Sequence, residues 1–189
     1  MKLFENDIIA CRKVISNAGV ILYPTDTVWG LGCSAYDIKA IQKIATIKKR
    51  NFQKSMIILL AEAKDVLKYV AHPPPNMIEI IEHQNQPTTF VYDNAINLPD
   101  ELFAADGSIA IRVTQDEFCV ALIKCIQLPL VSTSANVSND DTPLYFNSIS
   151  TKIKSAVDYI VKWKQEDITP SKTSSILKFL PNGDLTQLR

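Results

Sequence analysis

Glycine is scarce in this chain: Gly19, Gly30, Gly32, Gly107 and Gly183 are all that 189 residues contain. Neither a phosphate-cradling P-loop nor a G-x-G-x-x-G dinucleotide fingerprint can be written with them, so NAD is excluded and any nucleotide has to be held in another way. A G-x-S-x-G nucleophile elbow is missing too. Histidine is scarcer still. His72 stands beside three prolines and His83 in a helical stretch, and neither is placed to serve a Ser-His-Asp device. The four cysteines, Cys11, Cys33, Cys119 and Cys125, include no C-x-x-C pair and lie at no zinc-ligand spacing to a histidine, so zinc and haem are not expected and no metal ligand is assigned. Scattered thiols suit a reducing cytoplasm. The longest apolar run, from Met56 to Ala61, falls far short of the roughly 20 residues that cross a bilayer. Glu5, Asp7, Arg12 and Lys13 interrupt the N-terminal segment, which reads as an amphipathic helix and not as a signal peptide. Net charge is also missing: 20 Lys+Arg balance 20 Asp+Glu. A protein whose main work is coating nucleic acid needs a net basic surface, so that class is disfavoured, although a local basic patch is compatible with the balance.

What is present is an ordinary globular composition, 47% hydrophobic and 21% charged. A chain of this length buries roughly 70% of its unfolded surface, enough for one domain over residues 1–189 without a staple. Ile8, Cys11, Ile15 and Ala18 recur at helical spacing before Gly19, and Val20 to Tyr23 form an apolar run ended by Pro24. Asp37 caps a second helix with Ile38, Ile41, Ile44 and Ala45 on one face, running into Lys48-Lys49-Arg50. Strands are expected at Met56 to Leu60, Thr88 to Tyr92, Ile109 to Val113, Leu130 to Ser132, Tyr159 to Val161, Ser175 to Leu180 and Leu185 to Leu188. Helices are expected at Ala63 to Val70, Asn76 to Glu82 and Asp116 to Ile126, with a polar loop at Asn139 to Pro143 and a flexible connection at Gln165 to Thr173. The alternation gives an α/β (α+β) domain whose late strands make the sheet mixed.

Three polar constellations carry the chemistry. Tyr23-Pro24-Thr25-Asp26-Thr27-Val28-Trp29-Gly30-Leu31-Gly32 reads, taken alone, as a strand end and a turn whose glycines let the chain reverse. Lys48-Lys49-Arg50 alone suits a solvated helix terminus. Ser132-Thr133-Ser134-Ala135-Asn136 packs more hydrogen-bonding side chains behind a buried strand than a turn needs, which points to a ligand loop. Together they suit a polyphosphate ligand, with cations for charge and hydroxyls and amides for sugar or base. Arg112, at the end of the buried pattern Ser108-Ile109-Ala110-Ile111-Arg112, requires a carboxylate partner from the protein or from a substrate.

These residues, in this order, resemble the YrdC-like family of threonylcarbamoyl-AMP synthases: Tyr-Pro-Thr-Asp-Thr-Val-Trp-Gly-Leu-Gly at 23 to 32, Lys-x-Arg at 48 to 50, Ser-Ile-Ala-Ile-Arg-Val at 108 to 113, and Pro-Leu-Val-Ser-Thr-Ser-Ala-Asn-Val-Ser at 129 to 138. Lys172-Thr173-Ser174-Ser175-Ile176 and the final Leu188-Arg189 extend the likeness over nearly the whole chain. The resemblance implies a twisted mixed sheet with flanking helices around a concave cavity. It implies condensation of L-threonine, bicarbonate and ATP to threonylcarbamoyl-AMP and pyrophosphate, with Mg²⁺ accompanying ATP and partner proteins carrying the group to tRNA. By position it makes Lys48, Arg50, Ser134 and Asn136 the catalytic set. Thr25, Ser108, Arg112, Ser132, Ser174 and Arg189 become substrate-binding, with Arg112 on the threonine carboxylate and Thr25 and Ser174 on the amino-acid side.

The chain departs from the family pattern at Asn51, where proline is usual, at Gln86, where a Gly-Pro stretch is usual, at Asn139 for glycine and at Thr173 for proline. These changes bear on loop shape more than on charge. A rival from another class is an RNA-binding module of the same fold, contacting tRNA or double-stranded RNA without catalysis. Steep salt dependence of binding separates it from a small-molecule pocket. A purely structural domain leaves Arg112 and the loop from Ser132 to Asn136 unexplained.

Overall fold

The computed structural model describes residues 3–49, 56–169, 172–180 and 183–188. Helix α1 (Glu5–Ile15) buries Cys11 and Ile15 as its spacing dictates, and also Asp7. The Asp7 carboxylate accepts from the Tyr159 hydroxyl at 2.6 Å and from the backbone N–H groups of Lys162 and Trp163, so a charge that reads as solvent-facing ties α1 to a distant segment. The helix stops through Ala18, which takes the left-handed φ of 57°, and not through Gly19 as the sequence suggests. Gly19 serves space instead: a Cβ there lies 2.5 Å from Val14 Cγ1.

Strand β1 (Ile21–Tyr23) pairs antiparallel with β2 (Gly30–Ser34). The second strand corrects the sequence reading, which took its glycines for a chain reversal. Gly32 faces the ring of Tyr23, and a Cβ there falls 2.6 Å from Tyr23 Cε1, so the glycine makes room for a buried aromatic inside a strand. Asp37 opens α2 (Ile38–Lys48) by accepting from the Ala40 N–H at 3.0 Å. Next come β3 (Ile57–Leu60), a 3-10 turn at Ala63–Lys68, α3 (Met77–Glu82), β4 (Thr88–Tyr92) and β5 (Ile109–Val113). An α-helix over Ala63 to Val70 does not form. The Tyr69 N–H bonds back three residues to Val66, and Val70 is drawn out to bridge to Ala95.

Helix α4 (Glu117–Ile126) starts at its cap Asp116, which accepts from the Cys119 N–H at 3.0 Å. Strand β6 (Leu130–Ser134) runs two residues past its expected end because β2 pairs it to the last position, Gly30 opposite Ser134. A short α5 (Thr151–Ala156) with Ser150 as its cap was not apparent in the sequence. Strands β7 (Tyr159–Ile160), β8 (Ser175–Phe179) and β9 (Leu185–Gln187) complete the chain.

The strands make one twisted mixed sheet in the order β7-β1-β2-β6-β3-β5-β4-β8-β9. Three pairings are parallel, β1 with β7, β3 with β5 and β4 with β8, and five are antiparallel. Helices α1 and α4 pack on each other, with the Phe4 ring edge-on to Phe118 at 5.6 Å. Along the central strands the period of two separates a core face from a cavity face. Arg112, Ala110, Ser132 and Ile57 line the cavity, while Ile111, Val131 and Ile58 are buried in the hydrophobic core.

Candidate functional site

The chain leaves β1 through Pro24 and a hydroxyl-stitched turn. Thr25 Oγ1 accepts from the Thr27 N–H at 3.0 Å, donates to the Val28 carbonyl at 2.8 Å and lies 2.9 Å from Thr27 Oγ1. This turn is the wall between two adjoining cavities of about 610 and 560 Å³, which share Thr25, Thr27, Val28 and Thr173. The smaller one brings together six of the residues singled out from sequence: Thr25, Ser108, Arg112, Ser132, Ser134 and Ser174.

Each is held by a local device. Ser108 precedes β5 and donates its N–H and hydroxyl to Asp106, at 3.0 and 2.6 Å, which holds that carboxyl below the usual aspartate range. Ser174 leads into β8, and its hydroxyl lies 2.8 Å from that of Thr89 on β4, both buried. Ser134 ends β6 and donates to Asn136 Oδ1 at 2.5 Å, while Asn136 Nδ2 donates to the carbonyls of Val137 and Asp140. The loop then turns at Asn139, whose φ of 73° is the left-handed conformation that favours glycine and is next best met by asparagine. Asparagine therefore meets the backbone demand at this position.

Arg112 is 4% exposed and finds the carboxylate that its burial demands in the protein itself, with Nη2 3.1 Å from Asp26 Oδ1. Its Nη1 donates to Thr27 Oγ1 at 3.2 Å, and its Nε is buried without a hydrogen-bond partner. Around this pair the Tyr23 phenol and the Cys119 thiol are fully buried, and burial pushes both of their pKa values up, so both are neutral.

Lys48 does not match the solvated helix end that its sequence suggests. It is 2% exposed, and its ammonium donates to the main-chain carbonyls of Ser134 and, at 2.7 Å, Asn136, with Asn136 Oδ1 at 3.5 Å. The Ser138 N–H answers by donating to the Lys48 carbonyl at 2.8 Å. Lys48 and Asn136 thus stand behind the Ser134 loop and line neither of the two large cavities. Arg50, Asn51 and Arg189 lie outside the described residues.

Sequence reasoning missed Asp26, Thr27 and Thr89. Asp26 and Thr27 stood in the quoted motif, but a turn and a site use the same residue types. Only the demand of Arg112 for a carboxylate pointed towards Asp26. Among the described residues no group of three or more His, Cys, Asp or Glu side chains is placed to hold a metal ion, and no helix is long and apolar enough to cross a membrane.

Residues 13–189 match the profile of the Sua5/YciO/YrdC family, whose description reads "Telomere recombination". A protein of Hydrogenovibrio crunogenus named threonylcarbamoyl-AMP synthase is 33% identical over 136 residues, which is 70% of this chain and 73% of that one. Sua5 of P. abyssi, solved in complex with L-threonine, superposes with a TM-score of 0.86 at 20% identity, covering 100% of this chain and 55% of that one. YciO of E. coli superposes with a TM-score of 0.81 at 21% identity, covering 97% of this chain and 88% of that one. The structural matches establish a common fold, and this chain spans a little over half the length of the P. abyssi protein.

Proposed function

The chain belongs to the Sua5/YciO/YrdC family, and on that premise we propose that it is a threonylcarbamoyl-AMP synthase, an ATP-dependent nucleotidyltransferase joining L-threonine, bicarbonate and ATP. The observation that carries the proposal is the cavity floor: a buried arginine with an unused Nε–H donor, next to the hydroxyls of Thr25 and Thr27 and facing the serines of β6. An amino-acid carboxylate and a nucleotide need those two kinds of donor side by side.

The amine of L-threonine adds to the carbon of bicarbonate with loss of water and gives a carbamate. A carbamate oxygen then attacks the α-phosphorus of ATP, the bond from that phosphorus to the bridging oxygen breaks, and pyrophosphate departs with the electron pair. No covalent enzyme intermediate is required, so the scarcity of histidine is no obstacle; positioning and charge neutralisation carry the step. In this reading Arg112 receives the threonine carboxylate, and Thr25 and Ser174 flank the amino acid. Ser108, Ser132 and Ser134 line the nucleotide and carbamate site with Asn136 supporting Ser134 from the loop behind it, Lys48 and Arg50 serve the phosphates, and Arg189 contacts the nucleotide. Lys48 reaches that role through the loop it holds. Magnesium accompanying ATP would be held by the phosphates, whose charge it would help to neutralise. Residues 1–189 act as one domain, and the product passes to partner proteins that modify tRNA in the cytoplasm.

The test is pyrophosphate release from ATP by the purified protein, with L-threonine and bicarbonate supplied together and singly, against an Arg112→Ala control. Release that needs both co-substrates and shows a raised threonine requirement in the control is expected. Release independent of threonine, or none, overturns the proposal.

A further inference from the structure

Asp26 lines the larger of the two cavities, and the arginine it pairs with lines the smaller one. The Asp26 side chain is 13% exposed and its two oxygens are differently employed. Oδ2 accepts from Thr114 Oγ1 at 3.0 Å, and that hydroxyl in turn accepts the N–H of Asp116 at 3.2 Å, so its single proton is committed to Asp26. Oδ1 has no hydrogen bond and stands 3.1 Å from Nη2 of Arg112. The carboxylate is therefore anchored from the segment between β5 and α4 and set against the guanidinium, while Arg112, which lines the smaller cavity, keeps a buried Nε–H without a partner.

That arrangement answers a difficulty built into the reaction. A bare buried guanidinium is a general anion site, and a triphosphate or released pyrophosphate carries more charge to it than the single carboxylate of an amino acid does. A fixed countercharge at contact distance cancels the field of the arginine at range but leaves its short-range donors available. A monocarboxylate that reaches the guanidinium and the threonine hydroxyls still gains hydrogen bonds. A polyphosphate meets a near-neutral pair and the repulsion of Asp26.

We propose that Asp26 is a positioning and selectivity residue: anchored by Thr114, it orients the Arg112 guanidinium and makes it a receiver for monocarboxylates that polyphosphates do not occupy. The inference rests on the reading of Arg112 as the carboxylate receiver.

Calorimetry with the full chain tests it, titrating inorganic pyrophosphate and L-threonine at fixed salt into wild type, Asp26→Asn, Asp26→Ser and the double variant Asp26→Asn/Arg112→Met. Both neutral single variants are expected to bind pyrophosphate at least tenfold more tightly relative to L-threonine than wild type does, with pyrophosphate displacing L-threonine. The gain is expected to vanish in the double variant. A ratio within twofold of wild type in both single variants overturns the proposal. So does a gain that survives in the double variant, since it then arises elsewhere, and so do single variants that fail to fold beside a folded double variant, since the pair is then purely structural. The titrations need no turnover. A protein that releases no pyrophosphate from ATP but shows the shift keeps this inference and loses the synthase reading; a wild type that binds no L-threonine overturns the Arg112 reading and this inference with it.

Discussion

The ammonium of Lys48 lies 2.7 Å from the main-chain carbonyl of Asn136, so the last residue of α2 holds the loop that follows β6 by its backbone. A lysine in a Lys-x-Arg motif invites the picture of a free cation waiting for phosphate. Here the cation is bound on the protein side, and its effect on any ligand passes through Ser134 and Asn136.

Replacing Lys48 with methionine keeps the stem and removes the donors, leaving the part-buried carbonyls of Ser134 and Asn136 without this partner. The expected loss of stability is about 2 kcal/mol by urea unfolding, larger than a solvated helix end gives. Turnover is expected to fall at least tenfold. Because the loop and not a phosphate contact is lost, affinity for adenosine is expected to drop together with affinity for ATP. Loss confined to ATP would return Lys48 to direct phosphate binding.

Asp158 gives a pH prediction with a definite sign. Its carboxylate accepts from the Val20 N–H at 2.7 Å and from Lys43 Nζ at 2.6 Å. Burial pushes its pKa up, but the bond and charge of Lys43 and the Val20 N–H together outweigh burial and hold it below the ordinary aspartate value of 3.8. A depressed carboxyl contributes stability that is present above the unfolded pKa and lost as pH falls through the folded one. The melting temperature of wild type is expected to exceed that of Asp158→Asn at neutral pH, and the gap to narrow as pH falls from about 5 through 3.8 and to close only below the depressed folded value. A gap that stays constant over that window would show that the charge contributes nothing.

Gly32→Ala puts a Cβ 2.6 Å from Tyr23 Cε1 and 3.1 Å from the Val131 carbonyl, with the ring fully buried and the backbone unable to give way. The expected cost is about 1–3 kcal/mol, as for overpacked cores. Gly30→Ala meets nothing nearer than Ser132 Oγ at 3.2 Å, the end of a short side chain, and is expected to cost less than Gly32→Ala. Equal losses in the two variants would mean that strand pairing and not the aromatic ring sets the demand for glycine.

The same glycines show where the sequence stops being legible. Gly-Leu-Gly after a Thr-Asp-Thr turn has the local signature of a reversal, and only β1 and β6, which pair with it from either side, make it a strand. Aspartate caps are local devices, and Asp37 and Asp116 both cap helices where their positions predict. Buried charge is the opposite case. Nothing near Asp7 or Lys48 in sequence announces that their partners come from residues 159 to 163 and 134 to 136, and charged side chains default to solvent in any local reading. Arg112 was legible because a charge inside a buried strand pattern is an anomaly that demands a partner. Which carboxylate answers, Asp26, is a tertiary fact.

The cysteines carry the last prediction. Cys11, Cys33 and Cys119 are buried, and Cys125 is partly exposed at the end of α4. Burial, reinforced by the nearby charge of Asp7, pushes the Cys11 thiol up to about 12. Burial pushes Cys33 and Cys119 up as well, with Asp37 and Asp116 adding to it. Only the thiolate attacks a disulfide reagent, so these three are shielded twice, by access and by protonation. With an aromatic disulfide reagent near pH 8 the folded protein is expected to release about one equivalent rapidly, and about four in denaturant. Cys125→Ser is expected to abolish the fast phase. Raising the pH to about 9.5 is expected to leave the fast count unchanged while the fold holds, because a thiol held near 12 gains almost no thiolate there. A second fast equivalent at that pH would mean that α1 or the sheet beneath it opens on the timescale of the reaction, and mass mapping of the labelled cysteine would identify which.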